Sequence, residues 1–200
     1  DPSRFFSTYR RRLRDVAALA RDLEEPVLPI GAELTALAAD EHGPAWARVA
    51  AVARAVYGGP LAFVANHDAL DADAPLPHVD VLGVSAYFPL ARDAAADRGA
   101  FAGRLAGDVM PRLRRWAGAH GKPVVVFEVG YPSRVGGARR PWDDGNGAPV
   151  DLATQAAAYG AMTRALAAAP FVRGAFFWHW FGPGGPRDRH YTPRGKPAEA

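Results

Sequence analysis

Short, continuously apolar segments alternate along this chain with longer segments whose apolar residues recur at helical spacing. From Phe5 to Leu23 apolar side chains return every three or four residues, a period that indicates an amphipathic helix. The run from Pro123 to Phe127 is almost pure valine and lacks the alternation of a half-exposed strand, which is typical of a strand buried on both faces of a parallel sheet. The alternation therefore predicts an α/β fold in which helices cover a parallel sheet.

The pattern predicts five strands and four helices within one domain that covers residues 1–200. Pro29 predicts a bulge in the first strand, Pro111 a kink or restart in the third helix, and Asp151 the N-cap of the fourth helix. The predicted strands are Pro26–Gly31, Leu61–Ala65, Val79–Tyr87, Pro123–Phe127 and Gly174–Trp180, and the predicted helices are Phe5–Leu23, Pro44–Val56, Phe101–Trp116 and Leu152–Leu166.

Composition excludes several classes of protein. The chain has no cysteine, so disulfides, thiolate metal sites and cysteine nucleophiles are excluded. Its histidines show no metal-ligand spacing, and it contains no phosphate-binding loop, dinucleotide fingerprint or Gly-x-Ser-x-Gly elbow. We therefore predict neither a metal nor a cofactor.

Two partner classes can be set aside as well. The longest apolar stretch, Gly174 to Phe181, is far shorter than the roughly 20 residues of a membrane helix. The net charge of +3 and the basic run Arg10–Arg14 raise the possibility of nucleic-acid binding. However, acidic residues follow that run and no aromatic stacking surface is interleaved with it, so we interpret it as a solvated helix face. The sequence does not assign a compartment.

The residues that follow the apolar runs are the candidates for chemistry, because active sites of barrel enzymes lie at the carboxyl ends of the strands. Glu33 and Glu128 follow two such runs, and cleavage of a glycosidic bond needs a pair of carboxyl groups. Either glutamate alone is about equally well explained as a helix cap or an arginine partner, but the pair favours catalysis.

Aromatic residues at the strand ends offer flat apolar faces for sugar rings. The candidates are Tyr87, Tyr131, Trp178 and Trp180. Because Trp178 and Trp180 share one face of their strand with Phe176, we expect one of the two tryptophans to pack in the core. A loop of about twenty residues follows Glu128, longer than usual connections and hence a candidate functional loop.

Five motifs in this order and spacing resemble glycoside hydrolase family 113, a family of the clan of retaining barrel glycosidases that is associated with β-1,4-mannan hydrolysis. The resemblance covers nearly the whole chain. The motifs are Ile30–Leu34 (IGAEL), Asp80–Leu90 (DVLGVSAYFPL), Lys122–Tyr131 (KPVVVFEVGY) with Ser133, Pro141–Trp142, and Phe177–Trp180 (FWHW).

The resemblance implies a role for each matching position. Glu33 takes the place of the general acid/base at the end of the fourth barrel strand, and Glu128 that of the nucleophile at the end of the seventh. Tyr87 ends the sixth strand and is expected to hydrogen-bond the nucleophile. The expected substrate-binding residues are Asn66 on the floor of the site, Trp178 as the sugar platform, and Tyr87, Tyr131, Trp142 and Trp180.

The chain departs from the family pattern in two ways. Many members of the clan have asparagine before the acid/base, whereas this chain has Ala32, which leaves the contact to the sugar 2-hydroxyl unassigned. If Glu33 ends the fourth strand, the first three strands are absent. The resemblance therefore implies a partial (β/α)8 TIM barrel, with strands four to eight and their helices, truncated at the N-terminus and at the C-terminus.

We expect a monomeric retaining glycoside hydrolase that acts on an oligosaccharide or polysaccharide without cofactor, nucleic acid or membrane. Two alternatives remain open. A carbohydrate-binding or scaffold barrel would keep the fold without the activity, since a fold alone does not establish function. A related activity of the clan, such as endo-galactanase or transglycosylase, would keep the two carboxylates and change the substrate or the acceptor.

Overall fold

The computed structural model describes residues 1–71, 74–94, 97–143, 145 and 147–200. Helices and strands alternate along it as the apolar pattern predicts. The helices are α1 (Pro2–Asp22), α2 (Gly43–Arg54), α3 (Phe101–Arg104), α4 (Met110–His120) and α5 (Leu152–Ala167), and the strands are β1 (Leu28–Ala32), β2 (Leu61–Asn66), β3 (Val81–Ser85), β4 (Val124–Val129) and β5 (Val172–Phe177).

The strands form one five-stranded sheet in the order β1-β2-β3-β4-β5. β1 pairs with β2 and β2 with β3 in parallel, and the second pair is regular from Ala62 opposite Val81 to Asn66 opposite Ser85. The register of β1 shifts between Pro29 and Ala32, which confirms the predicted bulge. Proline has no N–H to donate to a neighbouring strand, so the ladder is interrupted there.

Residues 1–85 and 117–125 form one compact unit. At its centre the ring of Trp46 is fully buried and packs edge-on against Phe6 at 5.4 Å and Phe63 at 5.1 Å. A Cβ on Gly31 would lie 2.9 Å from both Trp46 and Phe63, so only glycine fits at this point of β1. Such edge-on aromatic pairs contribute about 0.5–1.5 kcal/mol each beyond the area they bury.

The amino end of β3 is held by one carboxylate. Asp80 accepts hydrogen bonds from the Leu61 N–H at 2.9 Å and from Arg54 at 2.8 Å. Burial alone would raise the pKa of Asp80, but these donors outweigh it and lower the pKa. This ion pair lies at the opposite end of the β2–β3 pair from Asn66, which indicates a structural role.

Residues 86–116 and 126–200 form the second compact unit. The third predicted helix is interrupted in its middle, where Leu105–Val109 form a π-helical turn directly before Met110 and Pro111. Proline lacks the N–H of a regular helical bond, and the helix accommodates this with a wider turn rather than a break. Asp151 caps α5 by accepting from the Thr154 N–H at 3.0 Å, as predicted.

The residues after β5 pack against the rest of their unit, because Tyr191, Thr192 and Lys196 are at most 5% exposed. One expectation about this part of the chain is wrong. Neither tryptophan packs in the core, since Trp178 is 40% and Trp180 59% exposed. Within the described ranges, no helix has both the length and the apolar character needed to cross a membrane.

Candidate active site

Glu33 follows β1 directly and has an unusual backbone conformation. Its φ is +56°, in the left-handed region that costs energy for any residue with a Cβ. The Glu33 N–H donates to the Val64 carbonyl at 2.9 Å, so the neighbouring strand holds this conformation, while the side chain is exposed. Strained backbone of this kind persists where the surrounding structure enforces it and occurs often at functional sites.

Asn66 ends β2 and is half-buried. Its side-chain amide donates to the Thr35 hydroxyl at 3.2 Å, which links the end of β2 to the turn after Glu33. Ser85 lies opposite Asn66 in the register of β2 and β3 and is 1% exposed. The sequence did not indicate Thr35, because a threonine in a turn carries no recognisable pattern.

Glu128 is the next-to-last residue of β4 and is half-buried. The Tyr87 hydroxyl donates to Glu128 Oε2 at 2.8 Å, so the hydrogen bond expected between these side chains is present. The Ala86 N–H donates to the Glu128 carbonyl at 2.6 Å. A tyrosine that is itself 8% exposed thus fixes one oxygen of this carboxylate.

Tyr191 was not indicated by the sequence, yet it packs beside this pair. Its ring lies edge-on to the ring of Tyr87 with centroids 6.3 Å apart, and its hydroxyl donates to the Pro141 carbonyl at 2.6 Å. Pro141 directly precedes Trp142, so Tyr191 contacts both the Tyr87 ring and the loop that carries a predicted sugar-binding tryptophan.

The loop that carries Trp142 is closed at its base and supported from inside. Arg134 and Val150 form an antiparallel bridge at its base. The Arg134 side chain is 2% exposed, donates to the Asp143 carbonyl, and lies 3.5 Å from the Asp143 carboxylate. The Gly145 N–H, together with Arg134 and Arg140, lowers the pKa of Asp143 despite partial burial. Trp142 itself is 48% exposed, so its ring is available for contact.

Trp178 and Trp180 follow β5 with exposed rings. The Trp178 N–H donates to the Val129 carbonyl at 2.7 Å, which places Trp178 beside the end of β4. The peptide between Trp178 and His179 is cis. The Thr192 hydroxyl donates to the Trp180 carbonyl at 2.9 Å, so the C-terminal segment also fixes the backbone of this aromatic pair.

Tyr131 does not have the predicted sugar-stacking position. Its side chain is fully buried, and its ring packs edge-on against Tyr159 at 6.4 Å. Burial raises the pKa of Tyr131 far above its usual range. A ring without exposed surface cannot stack on a sugar, so the structure corrects this prediction and makes Tyr131 part of the core behind Glu128.

A buried ion pair anchors the C-terminal segment to the residues after β4. The Lys196 ammonium, with no exposed side-chain surface, donates to Asp188 Oδ1 at 2.7 Å, the Ser133 hydroxyl at 2.8 Å and the His190 carbonyl at 2.9 Å. Burial lowers the pKa of Lys196, an effect that Asp188 partly offsets. For Asp188 burial acts in the opposite direction, but the Lys196 and His190 donors outweigh it and lower its pKa.

The predicted site residues thus belong to two groups. Glu33 and Asn66 lie in the first unit, and Tyr87, Glu128, Trp142, Trp178 and Trp180 lie in the second. Across the described part of the chain, no three histidine, aspartate or glutamate side chains group as metal ligands would.

Comparison with known proteins gives a consistent result. The model of Glycoside Hydrolase Family 113 matches residues 2–189. No curated protein matches the sequence. Among solved structures, the GH113 β-mannanase of Alicyclobacillus acidocaldarius in complex with ManMIm is 30% identical, with a TM-score of 0.84 over 100% of this chain.

Two further structures share the fold. A GH113 β-1,4-mannanase is 22% identical, with a TM-score of 0.81 over 97% of this chain. A β-D-glucuronidase of Dictyoglomus thermophilum is 18% identical, with a TM-score of 0.66 over 94% of this chain and 32% of its own. The present chain spans 60% of the length of each of the two mannanases.

Proposed function

The chain belongs to glycoside hydrolase family 113, and from this premise we propose that it hydrolyses β-1,4-linked mannan by double displacement, with Glu128 as nucleophile and Glu33 as general acid/base. The observation that carries the proposal is the Glu128 carboxylate, half-buried at a strand end and hydrogen-bonded by the Tyr87 hydroxyl at 2.8 Å. The similarity to a β-mannanase at 30% identity supports mannan as the substrate.

In the first step Glu128 attacks the anomeric carbon while Glu33 transfers its proton to the departing glycosidic oxygen. The glycosidic bond breaks, a covalent glycosyl-enzyme forms on Glu128, and the shortened sugar chain leaves with the proton from Glu33. Donation from the Tyr87 hydroxyl to Oε2 leaves the other carboxylate oxygen, Oε1, to attack. The bond also orients the carboxylate before the sugar arrives, which reduces the entropic part of the barrier.

In the second step Glu33 accepts a proton from water, and the resulting hydroxide attacks the anomeric carbon. The bond to Glu128 breaks, the carboxylate is restored, and Glu33 is again protonated. The exposed carboxylate of Glu33 is compatible with the two exchanges that this role requires, one with the leaving oxygen and one with water.

The exposed tryptophan rings provide the apolar surface that sugars need. Trp142, Trp178 and Trp180 are 48%, 40% and 59% exposed. Hydrogen bonds hold the backbones of Trp178 and Trp180, and another holds Pro141, the residue before Trp142. Flat aromatic faces bind the C–H faces of sugar rings at a small entropic cost, because aromatic side chains have few rotatable bonds. We assign Trp178 to the cleavage point and Trp142 and Trp180 to neighbouring sugar units.

The test is release of reducing sugar from mannan, glucomannan, galactan and xylan by the intact protein. Wild type is expected to act on the mannans, and Glu128→Ala and Glu33→Ala are each expected to lower kcat by about a thousandfold or more, since each removes a group that acts in both steps. Glu41→Ala, an exposed glutamate next to α2, serves as the matched control and is expected to retain full activity.

Other results would redirect the assignment. Activity on galactan alone would leave the roles assigned to the two carboxylates unchanged and would change the assigned substrate from mannan to galactan. Activity on no glycan, or activity that both substitutions leave intact, would contradict the proposal and favour a carbohydrate-binding barrel.

A further inference from the structure

We propose that Tyr191 is a positioning residue for the nucleophile. Its ring holds Tyr87 in the orientation that donates to Glu128, and the buried Lys196–Asp188 ion pair fixes the segment that carries this ring. The inference rests on the proposed function, because it assigns Tyr191 a role in the same reaction. It concerns residues 188–196, a segment that supplies no reacting group to the two catalytic steps above.

The first step of the argument is the contact between the two tyrosine rings. Tyr87 and Tyr191 are 8% and 4% exposed, and their rings meet edge-on at an interplanar angle of 69° with centroids 6.3 Å apart. Edge-on contact restricts the tilt of both rings. The hydroxyl of Tyr87 lies at the far end of its ring, so a small tilt of the ring displaces the hydroxyl the most.

The second step is the hydrogen bond that depends on that ring. The Tyr87 hydroxyl donates to Glu128 Oε2 at 2.8 Å, within the usual range for an O–H···O hydrogen bond. Such a bond weakens steeply once distance and angle depart from their preferred ranges. A displacement of about 1 Å at the hydroxyl would therefore remove most of its effect on Glu128.

The third step is the rigidity of the segment that carries Tyr191. The Gln155 amide and the Tyr159 hydroxyl both donate to the Tyr191 carbonyl, at 2.9 Å and 3.0 Å. Five residues later, the Lys196 ammonium bonds Asp188, Ser133 and the His190 carbonyl. The Tyr191 carbonyl thus accepts two hydrogen bonds directly. The carbonyl of the preceding residue, His190, accepts a third from Lys196 of the buried ion pair.

Ser133 joins this anchor to the strand that carries the nucleophile. It lies five positions after Glu128 in the chain, and its hydroxyl donates to the Asp188 carbonyl at 2.7 Å while accepting from Lys196. The segment that places Tyr191 is therefore fixed against the continuation of β4, the same strand whose end holds Glu128. This arrangement fixes the positions of Tyr191, Tyr87 and Glu128 relative to one another.

The experiment is a double-mutant cycle in kcat between positions 87 and 191, measured on mannan with the intact protein. Tyr191→Met removes the ring but fills much of its volume, since methionine adapts to irregular space. We expect Y191M to lower kcat by about three- to tenfold with KM within about twofold. The kcat of Y87F/Y191M is expected to stay within about twofold of the kcat of Y87F alone, because the ring at position 87 then has no hydroxyl to position.

Two further variants separate positioning from packing. Tyr191→Phe keeps the ring and is expected to retain kcat within about twofold. Tyr57→Met is the matched control for lost packing: Tyr57 is 3% exposed and its hydroxyl donates to the Glu25 carbonyl at 2.6 Å, just as Tyr191 donates to Pro141 at 2.6 Å. Y57M is expected to lower the melting temperature as much as Y191M does and to leave kcat unchanged.

If Y191M does not fold, Ser133→Ala loosens the same anchor without touching a ring. We expect S133A to lower kcat about threefold in the wild-type background and to have no effect in the Y87F background. Multiplicative losses in either cycle, or a Y191F variant as impaired as Y191M, would overturn the role of Tyr191 while leaving the proposed function intact. A wild-type protein inactive on every glycan would overturn the proposed function and this inference with it.

Discussion

Tyr87 and Glu128 form the single side-chain contact on which the proposed chemistry depends most directly. Tyr87→Phe removes one hydroxyl and leaves the ring in place. Because a hydrogen bond to a charged group is worth about 1.5–3 kcal/mol, we expect Y87F to lower kcat/KM about tenfold to a hundredfold. Steady-state hydrolysis of mannan measures this, and Tyr57→Phe, which removes the hydroxyl bonded to Glu25 at 2.6 Å, provides the control. Equal losses in both variants would show that the effect is one of stability.

Single residues also show what sequence alone could predict. Glu33 and Glu128 could be proposed from the sequence because each follows an apolar run, and Tyr87 because it lies at the end of another predicted strand. Tyr191 and Ser133 could not, since their contacts join residues far apart in the chain: Lys196 reaches Ser133 across 63 positions. The burial of Tyr131 was equally hidden, because a tyrosine three residues after a predicted nucleophile has the same local pattern whether its ring faces substrate or core.

At the scale of elements, the approach of β5 to the end of β4 requires a residue without a side chain. A Cβ on Gly130 would meet the carbonyl oxygen of Trp178, a backbone atom that cannot move aside. Gly130→Ala is expected to destabilise the protein by roughly 3 kcal/mol or more, a fall of about 6–12 °C in melting temperature.

Gly118→Ala is the matched control in the same experiment. A Cβ at Gly118, in α4, meets no atom within 4 Å, and alanine is favoured over glycine within a helix by about 0.5–1 kcal/mol. Thermal unfolding should therefore move in opposite directions for the two substitutions. A melting temperature unchanged by G130A would mean that β4 and β5 separate at this point.

The C-terminal segment predicts how stability depends on pH. Asp188 has a pKa below its ordinary value near 3.8 because the donors from Lys196 and His190 outweigh burial. A carboxyl group with a lowered folded-state pKa contributes stability above its unfolded pKa, and that contribution is lost as the pH falls through the folded pKa. We expect the free energy of unfolding to fall below about pH 4, measured by urea denaturation between about pH 7 and about pH 2.

Asp188→Asn tests the source of that loss. The variant leaves the Lys196 ammonium buried without its carboxylate, so we expect its free energy of unfolding at neutral pH to be lower by about 3–5 kcal/mol. Below about pH 4 its free energy of unfolding should fall less steeply than that of wild type. Asp15→Asn, on the exposed face of α1, should retain the wild-type profile. An acid decline in D188N as steep as in wild type would assign the loss to other carboxylates.

The elements themselves were largely predictable, and the reason is physical. Each strand coincides with an apolar run, and that run marks it to within about three residues, as with Pro123–Phe127 for β4. The Pro29 bulge and the Asp151 cap followed from backbone chemistry that is local to one residue. The packing of the residues after β5 was not predictable, because burial of polar residues such as Lys196 depends on distant partners and leaves no periodic signal.

For the whole molecule, the proposal makes a stereochemical prediction that involves both units of the chain. A retaining mechanism needs the carboxyl groups of Glu33 and Glu128 about 5–5.5 Å apart, whereas an inverting one needs about 6.5–9.5 Å to admit water between carboxylate and sugar. Proton NMR of the first products released from mannan should therefore show the β-anomer, which then equilibrates with the α-anomer. A crystal structure of the intact protein should show the shorter separation.

The two measurements check each other. Retention with the shorter separation would support Glu128 as the nucleophile, which forms the glycosyl-enzyme before water attacks its anomeric carbon and releases the carboxylate. Initial α-anomer with the longer separation would make Glu128 a general base, and the Tyr87 hydrogen bond would then orient a carboxylate that activates water. Initial β-anomer at the longer separation would mean that one of the two glutamates is wrongly assigned.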